Sequence, residues 1–449
     1  MRPSTRLVSR LPLAAVLAVL LASSPVRAAP TTAPATADEI GAELRPASPP
    51  GEGARRVLDA LLFVPRVLIE VAVIASTATV SFFENQQVVP RARALLGSED
   101  GKIRLAPTIA LASGLRPDLG ARLTSAEGRF ASMVRASIVD RDSYLAESRL
   151  LVSLGERGRT QLIFEGFHQR STGLGFGGLG PDPLHDRRNY FLPGKAGASA
   201  SFLEVRERVI AGVASRVEEN VEILASTSYQ RRRIQDPRDP GGDTFEHTFA
   251  PGTVPGAYAR TERFYTEIAM RRDTRAVRGP PAAGLLLEGY MGTSEDVHDG
   301  YGSAIHYGGR FGWFIPIVRK TSILSPRLNL DIVDSTGDKP LPFREYNYPS
   351  GFRGADGRVD RVAALASIDY RWQLVSYVAA RLFVDVENVA PRLTALRTEH
   401  LAWAVGGGID LHSSTTEIGR LGVSFSPQAI QLIFVYGLAA PGFGDRQHR

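Results

Sequence analysis

The sequence predicts an all-β protein, a transmembrane antiparallel β-barrel of about 16 strands with a short N-terminal helical segment. Three observations lead to this prediction. The N-terminus has the pattern of an export signal, apolar and polar residues alternate from Lys102 onward, and the alternating segments are numerous and each about 10 residues long.

An export signal is predicted over residues 1–28. Arg2, Arg6 and Arg10 precede an apolar run over residues 11–22, and small residues follow up to Ala28. A basic start, a short apolar centre and a small-residue cleavage site are typical of a secretory signal peptide. Together with the alternating segments, this signal predicts a location in the bacterial outer membrane.

Two segments of different character separate the signal from the strands. Residues 29–54 are rich in Ala, Pro and Thr without apolar periodicity, which predicts a flexible linker. Residues 55–99 are more apolar, but Asp59, Pro65 and Glu70 interrupt them, so they do not fit a transmembrane helix. We expect a periplasmic amphipathic helical segment that either packs on the rest of the protein or lies on the membrane surface or in the barrel.

Composition and charge exclude several partners and sites. The 449 residues carry a net charge of +6, but four arginines lie in the signal peptide and no basic tail is present, so nucleic acid is not an expected partner. The absence of cysteine excludes disulfides, thiolate metal sites and cysteine nucleophiles. Outer-membrane lipid and other envelope proteins are the expected partners.

Residues 100–440 are predicted to form the barrel, and residues 441–449 a C-terminal tail. Within 366–374, for example, Ile368, Tyr370 and Trp372 alternate with Asp369 and Arg371. In a barrel the apolar side chains would face lipid and the charged ones a polar lumen, although a soluble sheet with one wet face alternates in the same way. The segments with this pattern are 102–113, 118–126, 130–139, 144–154, 159–168, 220–230, 260–270, 283–292, 305–315, 327–334, 366–374, 380–388, 419–426 and 429–438.

The length of this region sets the strand number. About 340 residues, at roughly 20 per strand and connection, give 16 or 17 strands, and bacterial barrels take even numbers. An open sheet edge in hydrocarbon would leave amide and carbonyl groups unpaired, so the sheet is expected to close. The sequence therefore predicts 16 strands.

No motif for catalysis, a cofactor or a metal is found. GLGFGG (Gly173–Gly178) matches a dinucleotide fingerprint formally, but prolines follow it and no helical periodicity does, which predicts a loop. Walker, HExxH and GxSxG motifs are absent, and no second histidine lies at metal-ligand spacing from His247. We therefore expect no enzyme, although an outer-membrane hydrolase built from residues remote in sequence stays an alternative.

A charged stretch, FRGADGRVDR (Phe352–Arg361), and its surroundings resemble a known family. In order and spacing, its motifs are similar to the C-terminal barrel region of the bacterial surface antigen family, the BamA/TamA-type outer-membrane assembly and translocation superfamily. GGLGPDPLHDRRNY (Gly177–Tyr190) resembles a second family segment. Two positions differ, since Ala355 replaces an aromatic residue and Glu387 a glycine. The other matching residues are Pro342 and Phe343; Arg353 and Gly354; Arg358, Asp360 and Arg361; Asp369, Tyr370 and Arg371; Phe383 and Asp385.

This resemblance implies a latch and a function. The sixth extracellular loop would fold into the lumen, with Arg353 and Gly354 at its tip and Arg353 paired with Asp385 and Asp369 on the wall. The implied function is the insertion or translocation of protein or lipid at the outer membrane, without a cofactor. The short segment before the barrel predicts a member lacking POTRA repeats, the small periplasmic domains of the family. A passive pore and a structural barrel are the alternatives.

Overall fold

The structure, a computed structural model, describes residues 102–112, 116–155, 158–238, 242–275, 283–317, 322–375, 378–412 and 417–436. The signal peptide (1–28), linker (29–54), helical segment (55–99) and tail (441–449) of the sequence analysis lie outside the described residues. Among the residues described, no helix has the length and apolar character needed to cross a membrane.

The chain forms a closed antiparallel barrel of 16 strands, as predicted. Two further strands of two residues each, β6 (Gly178–Leu179) and β13 (Arg358–Val359), pair in parallel outside the barrel sheet. The barrel strands are β1 (Ile103–Ala112), β2 (Arg116–Glu127), β3 (Phe130–Asp140), β4 (Ser143–Leu154), β5 (Thr160–Phe176), β7 (Ala200–Glu218), β8 (Val221–Gln235), β9 (Arg260–Asp273), β10 (Gly284–Asp296), β11 (Ala304–Pro316), β12 (Ser322–Ser335), β14 (Val362–Val375), β15 (Val378–Ala390), β16 (Ala402–His412), β17 (Glu417–Phe425) and β18 (Ile430–Tyr436).

The two ends of the barrel have connections of different length. At one end, residues 177–199, 236–259 and 336–361 join consecutive barrel strands, and we call this the long-loop end. At the other, the short-turn end, strands are joined by tight turns such as 128–129 and 219–220. In bacterial barrels, long loops are extracellular and short turns periplasmic. β1 begins and β18 ends at the short-turn end.

Side chains alternate between an apolar exterior and a polar interior. On β9, Phe264, Ile268 and Met270 are 52%, 54% and 54% exposed, whereas Tyr265 and Glu267 between them are 3% and 2% exposed. Apolar groups left on the outside of a sheet whose inside is charged are the pattern of a strand between lipid and a polar lumen. The alternation predicted for this segment is therefore present in the structure.

The closed sheet should resist detergent until it is heated. Each barrel strand is hydrogen-bonded to two neighbouring strands, so unfolding must break many backbone hydrogen bonds together. We expect the unheated protein, extracted from membranes, to migrate faster on a gel than the boiled protein. Equal mobility of the two samples, with the protein recovered from the soluble periplasm, would contradict the barrel.

Candidate functional site

The connection between β12 and β14, residues 336–361, folds back into the barrel, and we call it the inward loop. Near its base, Asn347 and Asp360 pair through backbone hydrogen bonds of 2.8 and 3.0 Å. The residues between them project into the lumen from the long-loop end. Arg353 reaches the barrel wall there, at Asp369 on β14 and Asp385 on β15.

Arg353 binds two buried carboxylates at once. Its Nε and its backbone N–H donate to Oδ2 of Asp385 at 2.7 and 3.0 Å, and its two Nη atoms donate to Asp369 and to the second oxygen of Asp385. The Asp369 and Asp385 side chains are 7% and 0% exposed. The planar guanidinium carries its donors in a fixed fork, which suits such bridging. This contact fixes the loop to two neighbouring strands.

An aromatic ring supports the Arg353 side chain. Phe383 faces the lumen, on the otherwise polar side of β15, and the Arg353 guanidinium lies 3.7 Å from its ring centroid. Such a cation–π contact contributes about 0.5–2 kcal/mol. On β16, a side chain at Gly406 would overlap the Phe383 ring and the Val423 carbonyl oxygen. The glycine therefore leaves the space that this ring occupies.

Further ion pairs line the same side of the lumen. Asp410 on β16, whose side chain is 2% exposed, pairs with Arg371 at 3.3 Å, with Arg420 at 3.0 Å and with Arg381. Arg381 also lies 3.7 Å from Asp369. Arg381 therefore joins the Arg353 contact to a network of charges that is buried in the barrel and not exposed to lipid.

Arg358 fixes the inward loop at a second point. Its Nη1 donates to the carbonyl oxygens of Pro181 at 2.7 Å and His400 at 3.0 Å. Its other nitrogens donate to Asp356 at 2.7 Å and to Glu387 at 3.3 Å. Glu387 faces the lumen on β15 with its side chain 0% exposed. Arg358 thus joins the inward loop to the connections 177–199 and 391–401 and to the wall.

The two sequence regions that carry the family resemblance meet in the structure. β6, in the connection 177–199, pairs with β13 of the inward loop, and Arg188 donates to the fully buried Asp360 at 2.9 and 2.7 Å. Burial alone would raise the pKa of Asp186, but hydrogen bonds from the Arg188 side chain and backbone hold that pKa below its usual value. Gly180, at φ +90°, leaves room for the Asp186 carboxylate.

Aromatic packing joins a third connection to these two. Phe343 of the inward loop has its ring centroid 4.9 Å from that of Phe176, 5.4 Å from Phe202 and 5.3 Å from Phe245. All four rings are buried in one cluster, and aromatic pairs of this kind contribute about 0.5–1.5 kcal/mol beyond their burial. The connections 177–199, 236–259 and 336–361 therefore share one apolar core at the long-loop end.

The four residues named by the resemblance lie together in this site. Arg353 and Gly354 are at the loop tip, and Asp369 and Asp385 are the two carboxylates that Arg353 binds. Gly354 is tightly packed, since a Cβ there would lie 2.5 Å from the Phe352 ring. Their function as a latch stays a prediction, which the substitutions below test.

Two anchors of the loop were not predicted. Arg188 pairs with Asp360, and Arg344 donates twice to Glu204 on β7, at 3.0 Å each. Both pairs join residues far apart in sequence, and one sequence does not show which of its many arginines and carboxylates meet. The sequence indicated this contact only in that Arg188 and Asp360 belong to the two regions that resemble the surface antigen family.

The residues considered for metal or nucleotide binding make ordinary contacts. Where the structure describes the chain, no three His, Asp or Glu side chains are grouped closely enough to hold a metal ion. His247 hydrogen-bonds with Thr244 at 2.9 Å. The loop predicted at GLGFGG is wrong in part, because β5 continues to Phe176, and no helix follows it.

Removal of the Arg353 side chain should destabilise the barrel. Arg353→Ala leaves the fully buried Asp385 without its cation, and we expect a loss of about 3 kcal/mol. The measurement is the temperature at which the fast-migrating gel band disappears in detergent. Lys339→Ala is the matched control, because Lys339 is in the same loop but forms an exposed ion pair with Asp299, worth about 0–1 kcal/mol.

A double substitution measures the interaction between Arg353 and Asp385 separately from the effect of each single substitution. Arg353→Ala with Asp385→Ala should cost less than the sum of the single changes, because the uncompensated charge is then gone. Identical transition temperatures for the wild type and both single variants would contradict the latch.

Comparisons with known proteins support the fold. BamA from Haemophilus ducreyi lacking POTRA domains 1-3 matches with a TM-score of 0.51 and 13% identity, over 75% of this chain and 69% of that chain. CdiB from Escherichia coli matches with a TM-score of 0.47 and 9% identity, over 74% of this chain and 62% of that chain. No family model matches the sequence, and no curated protein does. At such identities the similarity to BamA shows the barrel fold alone.

Proposed function

We propose that this protein is an outer-membrane barrel of the surface antigen, BamA/TamA type, that inserts or translocates protein or lipid at the outer membrane. The observation that carries the proposal is Arg353, which binds Asp369 and Asp385 from a loop folded into the lumen. The family resemblance names the same residues as the members of a latch, and this agreement supports the proposal. The BamA-like fold and the exposed apolar exterior support a location in the membrane.

The packed long-loop end favours this function over a passive pore. A pore needs a continuous water path through its lumen, whereas here the inward loop is held by Arg353, Arg358 and Asp360. Three connections also pack together through the aromatic cluster around Phe343. Because the inward loop and the packed connections are held in place by these contacts, we propose that the barrel acts on its substrate at the wall and not by passage through the lumen.

The proposed activity needs a position at which the wall opens, and the seam between β1 and β18, where the barrel closes, is the candidate. Among the residues described, β1 pairs with β18 only where Ile109 faces Tyr436 and Ala110 faces Val435. By contrast, β1 pairs with β2 along its whole length, and β17 pairs with β18 throughout the latter's length. Over the described part of the chain, the pairing of β1 with β18 is the shortest between neighbouring barrel strands, and we place the opening of the wall at this seam.

An open seam would offer what an inserting strand needs. Unpaired amide and carbonyl groups at a sheet edge bind an added strand through main-chain hydrogen bonds. In hydrocarbon each unpaired group costs several kcal/mol, so pairing with a substrate strand is strongly favoured. The apolar exterior beside the seam would give the substrate direct access to lipid.

Locking the seam should stop this activity. The chain has no cysteine, so Ala110→Cys with Val435→Cys introduces one designed disulfide between facing positions. We expect proteoliposomes carrying the protein to accelerate the folding of an unfolded outer-membrane barrel, or the transfer of a labelled lipid. Oxidation of the double variant should return the rate to that of empty liposomes, and reductant should restore it.

The matched control locks a fully paired position. Ala121→Cys with Ala136→Cys joins β2 to β3, at positions that face each other, and its oxidation should leave the rate unchanged. Equal rates for the locked and open seam, together with steady ion conductance, would contradict insertion at the seam and favour a pore.

A further inference from the structure

A cavity of about 570 Å³ opens on the outer surface of the barrel at the long-loop end. Its wall comes from the ends of β5, β7, β8 and β9. The polar residues that line it are Arg170, Glu207, Arg231, Arg233, Gln235 and Arg260. We call the four arginines of this list the rim cluster. Its volume lies within the roughly 300–1,000 Å³ of typical ligand sites.

The rim cluster faces away from the lumen. Arg232, between Arg231 and Arg233, is 8% exposed and binds the lumen-facing Glu204 at 2.7 Å. Alternation along β8 therefore turns Arg231 and Arg233 outward. On β7, Val209 follows Glu207 on the same outer face and is 62% exposed. The cavity thus lies where the apolar exterior gives way to polar residues, the level of lipid headgroups.

Positive charge exceeds negative charge around the cavity. Asp142 binds Arg170 at 2.9 Å, and Glu207 lies 3.3 Å from Arg231. The third carboxylate, Glu262, hydrogen-bonds with Arg260 Nε at 2.8 Å. These three pairs leave Arg233 as the excess cation of the rim cluster.

Arg233 is positioned to bind an external anion. Its side chain is exposed, and no carboxylate among the described residues forms an ion pair with it. Its close neighbour is the Gln235 amide, whose oxygen can accept from Arg233 at 3.1 and 3.2 Å when the amide is turned towards it. An exposed guanidinium that forms no ion pair with a carboxylate can donate two parallel hydrogen bonds to a phosphate.

We propose that this cavity binds the phosphate-bearing headgroup of a lipid in the outer leaflet of the membrane. The proposal rests on the proposed membrane location and goes beyond the proposed transport function. Arg233 and Arg231 would bind the phosphate oxygens, and the acyl chains would lie along the exposed apolar side chains nearer the membrane centre, such as Val209 and Phe264. A phosphate free in solution would gain only the first of these two contacts.

Lipid retention by the full-length protein tests the site. The protein is equilibrated either with vesicles of phosphatidylcholine alone or with vesicles that also contain phosphatidylglycerol. A third sample, in detergent, is equilibrated with inorganic phosphate. Molecules that stay bound to the protein are detected by native mass spectrometry. We expect the wild type to retain phosphatidylglycerol over phosphatidylcholine. Arg233→Gln should weaken this binding about tenfold or more, because the variant loses the charge-assisted hydrogen bonds that the guanidinium donates to the phosphate.

The matched control is Arg272→Gln. Arg272 is exposed on β9, as Arg260 is, but near the short-turn end and away from the cavity, so its substitution should leave retention unchanged. Arg233→Lys keeps the charge but loses the fork, and we expect intermediate retention. If Arg233→Gln does not show the heat-dependent gel shift of a folded barrel, Arg233→Lys is used in its place.

Three results would overturn the proposal. Equal retention of the two lipids, or an equal loss with Arg272→Gln, would indicate nonspecific attraction to anionic membranes. Binding of inorganic phosphate as tight as that of phosphatidylglycerol would assign the cavity to a soluble anion. Retention does not require opening of the seam, so a failed transport experiment leaves the lipid site standing, whereas loss of the barrel itself would remove both.

Discussion

The contact of Arg353 with Asp369 and Asp385 is the interaction on which the organisation of the lumen depends. A carboxylate taken out of water costs several kcal/mol unless a cation and hydrogen bonds compensate it. Asp385 is fully buried, and its cation comes from a loop that begins at the long-loop end. The barrel wall therefore stabilises the loop, and the loop stabilises the wall. The connections 177–199 and 236–259 pack on the same loop.

The cost of removing a charged group from water also explains where the other charged side chains lie. Charged side chains on the strands lie either in the lumen with a partner, as at Asp410, or on the outer surface at the long-loop end, as in the rim cluster. The belt between carries exposed apolar groups such as Ile268 and Met270. A highly charged stretch such as Phe352–Arg361 can lie beside a membrane strand because its charges point into the barrel.

Alternation in the sequence predicted the barrel and most of its strands, but two strands do not show it. In β7, Glu204, Arg206 and Arg208 face the lumen while Glu207 faces the rim, so polar residues occupy both faces. In β16, the glycines 406–408 have no side chains to alternate, and Gly406 is needed beside Phe383. The Arg353 site could be predicted because a short motif marks it. The pairing of Arg188 with Asp360 could not, because it depends on how two loops meet.

A disulfide between the loop tip and the wall tests most directly whether Arg353 holds the inward loop in the lumen. The Ala355 backbone N–H lies 3.4 Å from the Ser426 hydroxyl at the β17–β18 connection, and the chain has no cysteine of its own. With Ala355→Cys and Ser426→Cys, we expect a disulfide in membrane-extracted, unheated protein, and a much lower yield when Arg353→Ala is added. A folded barrel that forms no disulfide, or an equal yield with and without Arg353, would contradict this role of Arg353.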